Sequence, residues 1–193
     1  MDHAETHAAA QTAHPGVRIR AATPADAHAI AIVHVASWRT TYAGIVPDAV
    51  LRQLSVAQRA RYWQRVLANV QPPQQVFVAV DGERVVGFAA AGRERAGDPL
   101  YKGEILAIYL LQSHQRQGIG RRLVGAAAAH LLATELDTLL IWVLEANPAR
   151  RFYAALGGHP VREQMIRIGG VDLLEIGYGW QDVRPLLAWV GAS

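Results

Sequence analysis

Residues Gln115–Val124 read QRQGIGRRLV. Gly118 and Gly120 sit immediately before an apolar-periodic run, and Arg116, Arg121 and Arg122 surround them. A glycine-rich turn between a strand and a helix gathers several backbone N–H groups at one point. The first turn of the helix adds unpaired donors and the positive end of its dipole. With no Cβ in the way, phosphate oxygens can approach the backbone closely, and the arginines screen or bind their charge. Each charge-assisted hydrogen bond contributes about 1.5–3 kcal/mol, so a few of them would hold a diphosphate. The plain alternative is a glycine turn beside a solvated arginine cluster.

The flanking sequence supplies the strand and the helix. Glu104–Leu111 (EILAIYLL) is an almost unbroken apolar run, which predicts a central strand buried on both faces. After the glycines a helix is expected to about Ala133, then a second buried strand over Thr138–Leu144. Pro148–Leu156 reads as a short helix ended by Gly157-Gly158, and Val161–Ile168 with Val171–Tyr178 as a hairpin turned by Gly169-Gly170. Upstream, Val17–Ala21 is a short strand, and Thr23 caps a helix with Pro24 in its first turn that runs to about Ala36. Ser37–Asp48 is irregular and aromatic, and an amphipathic helix follows over Ser55–Asn69 with Val56, Ala60, Trp63, Val66 and Leu67 on one side. Gln75–Val80 and Arg84–Ala91 are strands joined at Asp81-Gly82-Glu83, and Arg93–Lys102 is a charged loop. Hairpin strands followed by strand, helix, strand, helix and strand predict a mixed sheet with helices on both faces.

Composition narrows the function. At 193 residues, 51% hydrophobic and 18% charged, the chain lies far from disordered compositions and reads as one domain over 17–193 behind a loose tail, Met1–Gly16. That tail has no basic residue and no long apolar run, so it is no secretory signal. The net charge of +3 comes from an arginine-dominated set in which Lys102 is the one lysine. Basic runs interleaved with aromatics are missing, so small anions are expected as ligands rather than nucleic acid. With no cysteine, disulfides, thiolate metal sites and a cysteine nucleophile are excluded, and a reducing cytoplasmic setting fits. The apolar run Gly125–Leu144 is broken by His130, Glu135 and Asp137, so no membrane span is expected. No H-E-x-x-H occurs among the eight histidines; His28 and His34 face different ways on a helix, and His3 and His7 lie in the tail, so no metal is expected. His114 reads as a phosphate-side donor or a surface residue.

The candidate diphosphate ligands separate on sequence detail. A nucleotide-hydrolase loop needs Lys-Ser or Lys-Thr after its last glycine, where this chain has Arg121-Arg122. A dinucleotide site needs a third glycine where Leu123 stands, although Asp137 lies where an acidic ribose ligand would be sought. In context the segment resembles the acetyl-coenzyme A binding motif of the GNAT superfamily of N-acetyltransferases, Gln/Arg-x-x-Gly-x-Gly/Ala, matched by Gln115, Gly118 and Gly120. EILAIYLL is similar to that family's fourth strand, and Asn147-Pro148-Ala149-Arg150-Arg151-Phe152-Tyr153 to its later helix-opening motif; the likeness spans roughly residues 17–180.

The resemblance implies a mixed, mostly antiparallel α/β sheet of about seven strands, splayed between the fourth and fifth and flanked by helices. It also implies acetyl-coenzyme A as cosubstrate with no metal, held by Gln115, Arg116, Gln117, Gly118, Ile119, Gly120 and Arg121. Ile108 and Leu110 would pair with its pantetheine, and Asn147 would hydrogen-bond the pantetheine amides or cap the next helix. A lysine-like amine with pKa near 10.4 must lose a proton, at a cost of about 4–5 kcal/mol, and the thiolate must gain one. A base and an acid on opposite sides of the thioester are therefore useful. Tyr153 matches the family's tyrosine as acid; its plain alternative is packing on the sheet. Glu104, fourteen residues before Gly118, matches the glutamate base of the histone-acetylating branch, with Glu145 in reserve. Trp38 and Tyr42, in the irregular segment with Arg39 and Thr41, would border the amine acceptor, or Trp38 would simply close the core; Tyr109 and Tyr178 are similar cases on strands. Direct, sequential transfer to a small-molecule or peptide amine follows from the lack of an evident acyl-enzyme nucleophile. A non-catalytic acyl-coenzyme A sensor and a dinucleotide-binding protein are the alternatives. Pro185–Val190 (PLLAWV) would cover a sheet edge or join a second subunit in a homodimer.

Overall fold

The computed structural model describes residues 16–190. Apart from Gly16, the expected tail with His3 and His7 lies outside the described residues. Seven strands form one sheet: β1 (Arg18–Ala21), β2 (Gln75–Asp81), β3 (Arg84–Arg93), β4 (Gly103–Leu110), β5 (Leu139–Leu144), β6 (His159–Ile168) and β7 (Val171–Trp180), in the order β1-β2-β3-β4-β5-β7-β6. Every neighbouring pair is antiparallel except β4 and β5. Among the described residues no helix is long and apolar enough to cross a membrane.

Helices α1 (Ala27–Thr41), α2 (Asp48–Gln53), α3 (Val56–Ala68), α4 (Ile119–Ala133) and α5 (Arg150–Ala155) flank the sheet. The entry to α1 is fixed by Asp26, whose Oδ2 accepts the Thr23 N–H at 2.7 Å and whose two oxygens receive the Arg20 fork at 2.8 Å each. This guanidinium holds the Asp26 carboxyl down at about 2. Contrary to expectation, α1 continues to Thr41, so Ser37–Thr41 are helical. Nothing in SWRTT breaks a helix, and packing of Ser37 and Trp38 outweighs the modest propensity loss at Thr40 and Thr41. Helix α2, entered after Pro47, begins at the last residue of the irregular stretch and occupies a segment for which the sequence predicts no element. Helix α3 starts as expected, with Ser55 Oγ accepting the Gln58 N–H at 3.3 Å.

The sheet separates two apolar layers. Ile30, Val33, Trp63, Val78 and Phe88 join α1 and α3 to one face. Val124, Leu131, Ile141, Tyr153 and Tyr178 join α4 and α5 to the other. The C-terminal segment lies on α4 rather than on a sheet edge: its 3₁₀ turn Arg184–Trp189 buries Leu186, and a Cβ on Gly125 would meet the Trp189 and Val190 backbone at 3.1 Å. Glycine at that position permits the approach.

Strand β4 decides the site. It pairs with β3 along its length but with β5 only through Gly103↔Leu139 and Glu104↔Leu140, after which the two strands part. The expected burial on both faces therefore holds only from Gly103 to Ile105; Leu106 is 38% exposed and Ala107–Leu110 are half-buried. A bulge accompanies the parting, because Ala91 pairs with Ile105 and Ala90 with Ala107, leaving Leu106 without a partner. The extra residue resets the alternation. Glu104 consequently shares the α1 side with Ala107 and Tyr109, whereas Ile105, Ile108 and Leu110 face α4.

Candidate active site

The QRQGIG turn ends at Gly118, which precedes α4 with φ 78°, while Arg116 has φ 65°. The first bond into the helix is Arg122 N–H to Gly118 O at 3.2 Å, so the amides of Ile119, Gly120 and Arg121 precede the helical ladder. The two glycines serve different needs. At Gly118 the left-handed backbone requires glycine, and an added Cβ would project into open space with nothing within 4 Å. At Gly120 it would meet the Phe152 ring at 3.3 Å, so that glycine also admits α5 against α4, which the sequence reading had assigned to phosphate approach alone.

Side chains around the turn divide between core and surface. Ile119 is buried with Leu123, leaving its amide for the turn. Gln117 Nε2 donates to Ser113 O at 3.1 Å, and Arg116 is exposed. Arg121 lies over the Trp189 ring, 4.6 Å from its centroid. Arg122 Nε is buried without a partner. His114 sits 3.3 Å from Asp81 and 2.8 Å from Ser113 Oγ, which ties the turn to the β2–β3 hairpin.

The free edge of β4 adjoins this turn. Leu111 N–H donates to Val86 O at 2.9 Å on the β3 side. By strand alternation Tyr109 also faces β3, and the N–H and C=O groups of Ile108 and Leu110 turn toward the gap left by β5. Gln115 Nε2 donates to the Leu110 carbonyl there at 3.1 Å.

Three phenols meet at the gap from its two sides. On the α1 side, Trp38 Nε1 donates to Tyr109 Oη at 2.9 Å, and the Trp38 ring lies 4.7 Å from Tyr42. Trp38 is half-buried and also packs on the cluster of Val46, Leu51 and Leu144. Burial raises the Tyr42 phenol, while its hydrogen-bonding neighbours Tyr109 and Asn147 pull it back. Tyr109 is pushed well above the ordinary phenol range, first by burial and then by Tyr42. On the α5 side, Tyr153 is 5% exposed, with its ring 6.0 Å from Tyr178; burial raises it strongly, and Tyr42 adds to the shift. All three are protonated at neutral pH. Asn147 Oδ1 accepts the Ala149 N–H at 2.9 Å in the turn that precedes α5, which starts at Arg150 with Ala149 in the cap position.

His34 was missed as part of this group. Its ring stacks on Tyr109 at 5.1 Å and 21°, and its Nδ1 accepts the Trp63 Nε1–H at 3.2 Å. The signal was its place one turn before Trp38, on the same face of α1.

Glu104 is fully buried. Its Oε1 lies 3.0 Å from Arg95 Nη2 in an ion pair off the axis of a hydrogen bond, and its Oε2 accepts the Arg95 N–H at 3.3 Å. Burial raises its pKa; Arg95 opposes the shift, and Glu94 and Glu175 add to it. Glu145 is exposed at the end of β5, where its carbonyl accepts from Arg150 at 2.9 Å. The structure thus brings Tyr153, Tyr42, Trp38, Asn147, Ile108 and Leu110 to one gap and sets Glu104 at its closed end, where β4 and β5 still pair.

Residues 37–157, which carry the turn, the gap and Tyr153, match the model of the acetyltransferase (GNAT) family. The chain is also 40% identical over 171 residues to the uncharacterized N-acetyltransferase YuaI of Bacillus subtilis, covering 88% of this chain and 96% of that one. This protein belongs to the GNAT family. Its fold is shared with yncA of Salmonella typhimurium, solved with its cofactor acetyl-CoA, at a TM-score of 0.66 and 21% identity over 86% of this chain and 94% of that chain. PaiA N-acetyltransferase of Thermoplasma acidophilum, solved with coenzyme A, gives 0.61 and 19% identity over 83% and 98%. The parted β4 and β5 and the glycine turn of this GNAT chain are the parts whose chemistry its function must explain.

Proposed function

We propose that this protein transfers an acetyl group from acetyl-coenzyme A directly to a primary amine. The observation that carries the reading is one row of main-chain donors and acceptors left unpaired by β5, of which the Leu110 carbonyl is held by Gln115. It runs along the Ile108–Leu110 edge of β4 and ends at the N-terminus of α4, beside a gap lined by protonated phenols. The donor set fits the cosubstrate: the amides of Gly118–Arg121 with Arg116 and Gln117 suit a diphosphate, and the β4 edge suits the amide groups of pantetheine. Asn147 borders the same path, with its oxygen on the Ala149 N–H and its amide beside Tyr42.

Residues on the two sides of the sheet then divide the proton work. Glu104, on the α1 side, takes the ammonium proton; its complete burial favours relay through a water between carboxylate and amine. The Leu110 N–H polarises the thioester carbonyl. Tyr153, on the α5 side, donates to the departing sulfur. Its raised pKa makes it a weaker acid than an ordinary phenol, so it serves first as a hydrogen-bond donor and gives up its proton only once charge on sulfur has developed. Trp38 and Tyr42 offer aromatic faces to the ammonium before it is deprotonated.

Release of free thiol from acetyl-coenzyme A with a panel of primary amines tests the proposal, with NAD as a negative control for thermal stabilisation. Amine-dependent thiol release is expected. Stabilisation by coenzyme A with no amine acetylated would make the chain an acyl-coenzyme A sensor; stabilisation by NAD instead would make it a dinucleotide binder.

A further inference from the structure

The loop between β3 and β4 is held by bonds within itself and by one side chain from β6. Glu94, itself buried, accepts the Ala96 N–H at 2.9 Å and the Asp98 N–H at 2.8 Å. Asp98 in turn receives Arg162 Nε of β6 at 2.8 Å. These bonds fix the path of residues 94–98 and leave the Arg95 backbone and side chain directed at one carboxylate. The Arg95 N–H lies 3.3 Å from Glu104 Oε2 and its Nη2 3.0 Å from Oε1, although the arginine side chain is 58% exposed and the carboxylate fully buried. The motif carried by Gln115, Gly118 and Gly120 contains no such arginine.

We propose that Arg95 is a positioning residue for the reaction's base, holding the buried Glu104 carboxylate ionised and oriented from outside the sheet. The proposal rests on the reading of Glu104 as base. The charged groups facing Glu104 are Arg95 and Glu94 from the loop and Glu175 from β7, so the two carboxylates disfavour its ionisation and Arg95 opposes them. Arg162, which holds the loop from β6, is paired with Asp98. Buried without Arg95, Glu104 would hold its proton to higher pH and be unavailable as a base in the neutral range.

Profiles of kcat/KM against pH for the wild type, Arg95→Ala, Arg95→Lys and Glu104→Gln, all with one amine so that its own titration cancels, test this. The acidic limb of Arg95→Ala is expected to move up by about one pH unit or more, a roughly tenfold loss below the limb that disappears at high pH. Arg95→Lys should keep its limb close to the wild type, and coenzyme A affinity should be the same in all four proteins. Because Arg95 is exposed, added salt should move the wild-type limb in the same upward direction. An Arg95→Ala limb superimposed on the wild type, or a loss uniform across pH, overturns the role of Arg95, and an inactive Glu104→Gln would then leave Glu104 as the base. Wild-type turnover in Glu104→Gln removes the base itself.

Discussion

Replacing Gly118 by alanine separates two quantities that the glycine turn combines. At φ 78° an L-residue costs about 1–2 kcal/mol relative to glycine. The added methyl meets no atom of the protein within 4 Å, so strain in the backbone is the whole of the folding cost. For a domain of this size that corresponds to a fall in melting temperature of roughly 2–8 °C. The same methyl projects into the space where a diphosphate would lie against the amides of Gly118–Arg121. Loss of even one charge-assisted hydrogen bond, about 1.5–3 kcal/mol, would weaken coenzyme A by roughly ten- to a hundredfold. Gly157→Ala is the matched control: φ there is 83°, nothing lies within 4 Å of the added methyl, and the residue ends α5 away from the turn. Both variants should melt earlier by similar amounts in a thermal scan, and only Gly118→Ala should lose affinity in a calorimetric titration with coenzyme A. Equal affinity in the two variants would refute the placement of the diphosphate at this turn, whatever the melting curves show.

Tyr153→Phe should lower turnover by about a hundredfold or more while coenzyme A binds as before; steady-state kinetics with unchanged kcat would remove the acid from the scheme. Burial holds His34 at about 4, below its ordinary value of 6.5, so the unfolded chain binds the extra proton between those values and the folded protein loses stability as pH falls from 6.5 toward 4, by about 3 kcal/mol. Denaturant titrations across that range should show the loss in the wild type and much less of it in His34→Gln. Asp26→Asn gives up the Arg20 pair and the opening of α1; since Arg20 is partly exposed, a loss of about 1–2 kcal/mol at neutral pH is expected in chemical denaturation. That difference should shrink as pH falls below about 4 and disappear only below about 2, where the wild-type carboxylate becomes protonated in the folded protein.

Periodicity made most of this architecture legible. The apolar run EILAIYLL, the hairpin at Asp81-Gly82-Glu83 and the Gly169-Gly170 turn gave strands within a residue or two of those observed, because each is specified by neighbours in the chain. The last turn of α1 escaped because SWRTTYAGIVPD has no apolar period, and α2 because the six residues Asp48–Gln53 are too few to show one; both pack on the cluster of Val46, Leu51 and Leu144. The bulge at Leu106 is a property of pairing with β3, which no pattern within β4 announces. The same limit applies to the site. Gly118, Tyr153 and Asn147 stood out by type and spacing, whereas the stack of His34 under Tyr109 and the reach of Arg95 to Glu104 join segments far apart in sequence. Arg121, read only as a phosphate-side cation, lies against Trp189 of a segment expected to go elsewhere.

The unpaired residue at Leu106 has a consequence for how such a strand can vary. With Leu106 drawn into a regular ladder, counting by twos from Tyr109 would assign the α1 side to odd positions, and Glu104 would point at α4. Deleting Leu106 would do no such thing: the pairs on either side of it already form an unbroken register on β3, and Glu104, Ala107 and Tyr109 would still share the α1 side. The length of this strand is therefore free to change by that one residue, whereas straightening it at full length would exchange the faces of everything before Leu106.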